Sequence, residues 1–86
     1  MKYTVIFAND ICQEEKQIRT FSRSRSALDF VRNEVQKIKA EAERAGAWKT
    51  SHDETDFIEG CRGWRFSLTI CRADSISFPY FRIIPA

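Results

Sequence analysis

Six apolar residues, Leu28, Val31, Val35, Ile38, Ala42 and Ala45, recur at spacings of 3, 4, 3, 4 and 3. That rhythm is one face of an α-helix, with Ala27 at its edge. It predicts a helix over Ser26 to Ala45, a rod of about 30 Å. Ser24 or Ser26 can cap its start, and Ser26 with Asp29 resembles a capping box with a shorter acid. Gly46 stands where a left-handed C-terminal glycine belongs. Lys37–Glu41 and Lys39–Glu43 are spaced to pair on the wet side. The stripe runs for less than three heptads and contains Val and Ala, so packing on a sheet suits it better than a coiled-coil seam. Phe30 lies off the stripe, where it covers a sheet edge or meets a partner.

The rest of the chain supplies the sheet. Lys2 to Ala8 is rich in β-branched and aromatic residues, and both its faces carry apolar side chains. It is expected as a central strand. Asn9-Asp10 signals a turn, and Lys16 to Phe21 follows as a weaker strand, joined by a loop around Asp10 to Glu15. Trp64 to Cys71 alternates cleanly. Trp64, Phe66, Leu68 and Ile70 point one way, and Arg65, Ser67, Thr69 and Cys71 the other. Ala73-Asp74-Ser75 is a turn, and Ile76 to Ile84 is the last strand, with Pro79 arguing for an edge or a break. Between helix and strands, Trp48 to Asp56 is polar and reads mostly as loop. Phe57-Ile58-Glu59 begins a short strand, and Gly60-Cys61-Arg62-Gly63 turns.

The predicted fold is α+β: one long helix on an antiparallel sheet of four to five strands, in the order β-β-α-(β)-β-β. The 86 residues make a single domain, 1–86. A chain of this size buries only about 60–65% of its unfolded surface, which leaves little material for a deep cleft. No apolar run approaches the roughly 20 residues of a membrane span, and the first eight residues are too strand-like for a signal peptide. A cytoplasmic location is expected, with Cys12, Cys61 and Cys71 as reduced thiols.

Catalytic patterns are missing. His52 is the only histidine, and no cysteine lies close to it in sequence. The three cysteines and His52 lack the paired spacing of a structural zinc site. His52-Asp53-Glu54-Thr55-Asp56 lacks the glycine and spacing of a calcium loop and reads as an acidic surface. Gly46, Gly60 and Gly63 match no phosphate-binding loop. The expectation is a protein that is not an enzyme, with no metal and no cofactor.

Charge is unevenly placed. The net charge is +2, with nine Arg and five Lys. Lys16, Arg19, Arg23 and Arg25 make one basic segment, and Arg62, Arg65, Arg72 and Arg82 another. Asp53, Glu54, Asp56 and Glu59 lie between them. Such segregation orients a partner. Phe21, Trp64, Phe78, Tyr80 and Phe81 accompany the basic segments. Arg, Tyr and Trp are favoured at binding hot spots. The candidate partner-binding residues are therefore Arg19, Arg23, Arg25, Arg65, Tyr80, Phe81 and Arg82.

The layout resembles that of small phage-encoded inhibitors, some anti-CRISPR proteins among them, and of other accessory proteins of mobile elements. The resemblance is one of layout alone and carries no residues over. It implies a small interaction protein that binds, and inhibits, a larger protein or nucleoprotein. Two other functions stay open: a single-stranded nucleic-acid binder using Arg and aromatics, and a small metal- or thiol-dependent enzyme built on His52 and the cysteines. Phe30 and a strand edge near Pro79 would permit a homodimer.

Overall fold

The structure is a computed structural model that describes residues 2–11, 13–56 and 63–85. Its elements in chain order are β1 (Tyr3–Ala8), β2 (Lys16–Phe21), α1 (Ser24–Arg44), β3 (Lys49–Asp56), β4 (Trp64–Cys71), β5 (Ile76–Ser77) and β6 (Tyr80–Pro85). All strand pairs are antiparallel, in the order β2-β1-β6-β4-β3, with β5 beside β4. The α+β class is as the sequence predicts, and β1 is internal, between β2 and β6. No described helix is long and apolar enough to cross a membrane.

The helix lies on one face of this sheet. Ala27, Val31 and Val35 meet Val5 of β1, Phe66 and Leu68 of β4, and Phe81 and Ile83 of β6 in one buried cluster. Burying each of the Val, Leu, Ile and Phe side chains supplies roughly 1.5–3 kcal/mol before entropy is counted. Leu28 and Ile38 flank the cluster rather than centre it, and Ala27, placed at the edge of the predicted stripe, is fully buried. Ala45 has the right angular position but is exposed, because the helix ends there.

Both helix ends differ in instructive ways. At the C-terminus, Gly46 adopts φ +102°. Its N–H donates to the Glu43 carbonyl (3.2 Å), and the Ala47 N–H donates to the Ala42 carbonyl (2.9 Å). This is the expected glycine-closed end, in which the left-handed residue satisfies two orphan carbonyls. The start is not as predicted. The cap position is Arg23, with no side-chain cap hydrogen bond, and Ser24 and Ser26 lie inside the first turn. No acidic residue sits in that turn, so Arg23 and Arg25 stand at the positive end of the helix dipole without compensation.

The segment read mostly as loop is an eight-residue strand, β3. Its alternation is polar, so it carries no hydrophobic period. Thr50, His52 and Glu54 are paired with Ile70, Leu68 and Phe66 and so share the helix side of the sheet. The helix meets each of them. Arg32 Nη2 donates to Glu54 Oε1 (2.9 Å), and Thr50 Oγ1 donates to Glu43 Oε1 (2.7 Å). Lys39 Nζ lies 3.3 Å from His52 Nδ1; an ammonium only donates, so that ring nitrogen accepts. The Arg32 hydrogen bond holds the Glu54 carboxyl below its usual range, but both groups are well exposed and the pair contributes little. The predicted Lys37–Glu41 and Lys39–Glu43 pairs give way to Lys37–Glu34 and to these contacts with β3.

Pro79 breaks the last strand without shifting its register. Cys71 pairs with Ile76, and Ser67 with Tyr80, on one continuous count. Pro79 cannot donate, yet its carbonyl still accepts from the Leu68 N–H (2.9 Å). It sits just past the end of β1, where Ala8 pairs with Tyr80. The strand is therefore an edge on one side before Pro79 and internal after it. The predicted 73–75 turn is present, closed by the Arg72 N–H donating to the Ser75 carbonyl (2.8 Å). The expected short strand over 57–59, and most of the following turn, lie outside the described residues.

Candidate functional site

The sheet face turned away from α1 is built from alternate residues. β4 contributes Arg65, Ser67, Thr69 and Cys71; β6 contributes Tyr80, Arg82 and Ile84; β1 contributes Thr4, Ile6 and Ala8. No described element packs across it.

Register brings three predicted site residues together there. Arg65 of β4 is directly opposite Arg82 of β6, and Ser67 opposite Tyr80. The Arg65 guanidinium carbon lies 4.3 Å from the centre of the Tyr80 ring, and its Nε donates to Ser67 Oγ (3.1 Å). A cation over a tyrosine face is held by the ring's quadrupole. Glu15, just before β2, reaches across β1 to this cluster. Tyr80 Oη donates to Glu15 Oε2 (2.8 Å), and Arg82 Nη2 donates to Glu15 Oε1 (2.9 Å). Arg82 Nε is also 2.8 Å from Glu15 Oε2 but makes no hydrogen bond, because its N–H does not aim at the oxygen. That contact is electrostatic only. Nothing in the sequence singles out Glu15, because its partners lie 65 and 67 residues away.

Like charges directly opposite each other on one sheet face are destabilising. Glu15 contacts one of these two guanidinium groups, that of Arg82. Arg82 is neutralised by Glu15, while Arg65 rests on an uncharged ring and has no ion-pair partner among the described residues.

The hydrogen bond to the Glu15 carboxylate, with burial second, raises the Tyr80 hydroxyl above its ordinary value of 10.0. A raised pKa means that the neutral phenol is favoured in the folded chain. Its contribution is present below about pH 10 and is lost as pH rises through the folded value. In an absorbance titration, Tyr80 is expected to ionise late, and Tyr80→Phe should remove that late step. An unchanged curve in the variant would show that the Glu15 contact does not hold the proton.

The other predicted residues lie elsewhere. Arg19 is on the helix side of β2, its guanidinium 5.0 Å from the Phe21 ring and 5.2 Å from Phe30. Phe30 thus covers the sheet edge, packed on Phe21 at 5.4 Å. Arg23 and Arg25 follow at the helix start. These form a basic corner separate from the open face. Phe81 is a correction. It is 2% exposed, in the core, with Phe7 4.7 Å away. Adjacent strand residues point to opposite faces, so Tyr80, Phe81 and Arg82 cannot present one surface. The alternation of Phe81 and Ile83 with Tyr80 and Arg82 was the available signal.

Cys71 is a buried free thiol, and Cys12 and Cys61 lie outside the described residues. Among the described residues, no group of three His, Cys, Asp or Glu side chains could hold a metal. No family model matches the chain, and neither a curated protein nor a solved structure is significantly similar to it.

Proposed function

We propose that the chain is a small non-enzymatic interaction protein that binds a larger protein or nucleoprotein. The observation that carries this reading is the cross-strand Arg65–Arg82 pair on the sheet face that no described element covers, with the Glu15 carboxylate on Arg82 alone. A pre-positioned arginine with no ion-pair partner among the described residues is suited to bidentate contact with a partner's carboxylate. The uncompensated Arg23 and Arg25 at the helix start add a second surface that gains from negative charge. A cytoplasmic setting, where Cys71 stays reduced, goes with this reading.

Single-stranded nucleic acid is the competing partner, through base stacking on aromatic rings. Three rings that would serve are already covered by the chain's own arginines: Tyr80 by Arg65, and Phe21 and Phe30 by Arg19. That favours a protein partner.

The test is capture of a partner by the tagged protein from lysate of its source cells, with and without nuclease. The expected result is a partner that survives nuclease and is lost with Arg65→Glu. Charge reversal in turn at Arg19, Arg23, Arg25 and Arg82 then maps the rest of the surface. Capture that vanishes with nuclease, or that none of the five reversals weakens, overturns the reading.

A further inference from the structure

Among the described residues, β3 pairs only with β4, so the backbone of its outer edge is unpaired. Free strand edges are sites of pairing with another chain unless they are blocked. The side chains along this edge carry an unusual symmetry. Lys49, Ser51 and Asp53 are paired with Cys71, Thr69 and Ser67, which puts them on the open face. Lys49 and Asp53 are both exposed. The described ion pairs are Arg32–Glu54, Lys37–Glu34 and Arg82–Glu15, and none involves Lys49 or Asp53.

We propose that β3 pairs antiparallel with β3 of a second copy of this chain, about a two-fold axis through Ser51. In that register Lys49 stands opposite the partner's Asp53, and Asp53 opposite the partner's Lys49. Residues of one face meet residues of the same face, so the two sheets run on as one and both helices share a side. Neighbouring registers keep the faces matched but lose this charge pairing. Centring on Thr50 or His52 sets Lys49 opposite Ser51 or Thr55. Centring on Asp53 sets two aspartates opposite each other.

The helix side is complementary in the same register. Thr50 comes opposite the partner's His52. Glu43, which holds Thr50, is thereby brought beside the partner's Lys39, which contacts His52. Trp48, one residue before the strand, is 69% exposed. It comes opposite the partner's Glu54, whose carboxylate holds Arg32. A guanidinium so held offers an exposed indole a cation–π neighbour. Three separate features of one edge are thus matched by a single two-fold.

The edge at the other end of the sheet is different. β2 carries Lys16 and Arg19 and no acid, so two copies of it repel. The pairing therefore closes at two chains instead of growing into a filament. One strand edge is a small interface, at the weak end of the size range for specific association. A reversible dimer follows. This inference stands whether or not the partner-binding reading holds.

Sedimentation equilibrium on the purified chain, in low salt and over concentrations up to about 1 mM, tests it. The expected result is a monomer–dimer equilibrium. Lys49→Asp and Asp53→Lys should each weaken it by about tenfold or more, since each change replaces two attractive pairs with two repulsive ones. The double variant Lys49→Asp with Asp53→Lys restores attraction with the signs exchanged and should recover the dimer. Both positions are exposed, and circular dichroism confirms that the variants fold. A wild-type chain that stays monomeric throughout the series overturns the proposal. So do single variants that associate like wild type, or a double variant as weak as the singles.

Discussion

Phe66→Ala is expected to lower stability by about 3–5 kcal/mol, the cost of emptying a fully buried phenylalanine site. Phe66 is 0% exposed. It lies in the middle of the sheet, opposite Phe81 on β6 and Glu54 on β3. The helix residues Val31 and Val35 belong to the same cluster. A domain of 86 residues has a total stability of about 4–13 kcal/mol, so one such cavity consumes a large share of it. The melting temperature should fall by about 12–40 °C. Phe78→Ala is the control. Phe78 is 39% exposed beside the open face, and its loss should cost about 1 kcal/mol or less. Thermal melts of the two variants separate the faces of the sheet. Equal losses would mean that α1 does not cover the side of β4 described here.

Val31→Asp is expected to cost a further distinct kind of energy, about 3–5 kcal/mol at neutral pH, because it buries a charge without a partner. Val31 is 0% exposed at the helix–sheet contact. Burial disfavours the carboxylate and raises its pKa in the folded chain. The folded variant then binds more protons than the unfolded one, so its stability is greatest in acid and falls as pH rises through the raised value. Urea melts across a pH series read that slope. Val31→Asn, which has nothing to titrate, should show the same slope as wild type. Ala45→Lys, on the same predicted stripe but exposed at the helix end, should change stability by no more than about 0.5 kcal/mol. A Val31→Asp variant whose stability relative to Val31→Asn does not depend on pH would mean that the helix face is solvated.

These two expectations rest on parts of the molecule that repeat with a period. The helix from Ser24 to Arg44 and the alternation of Trp64 to Cys71 bury one face each, and a buried face leaves a periodic trace in the amino acids. Gly46 is legible for a related reason, since its backbone angle is one that side chains resist. The helix start was not legible. Ser26 and Asp29 have the right spacing for a cap, but the backbone turned helical two residues earlier, at Ser24.

β3 shows why a polar strand hides from pattern reading. Thr50, His52 and Glu54 alternate as a strand should, but their buried-side neighbours are Glu43, Lys39 and Arg32 of the helix rather than apolar groups. Each half of this ladder looks like ordinary surface until the two are brought together. The candidate site divides the same way. Arg65, Tyr80 and Arg82 stood out by residue type, and alternation alone separates Phe81 from them. That Arg65 faces Arg82, and that Glu15 answers only one of them, depends on how β6 inserts between β1 and β4. The sequence by itself determined the helix, the main strands and the face each one buries, because hydrophobic burial acts through local periods. Strand order, the polar helix–β3 ladder and the balance of charge on the open face were decided only by the tertiary structure, because they join residues whose spacing along the chain carries no period.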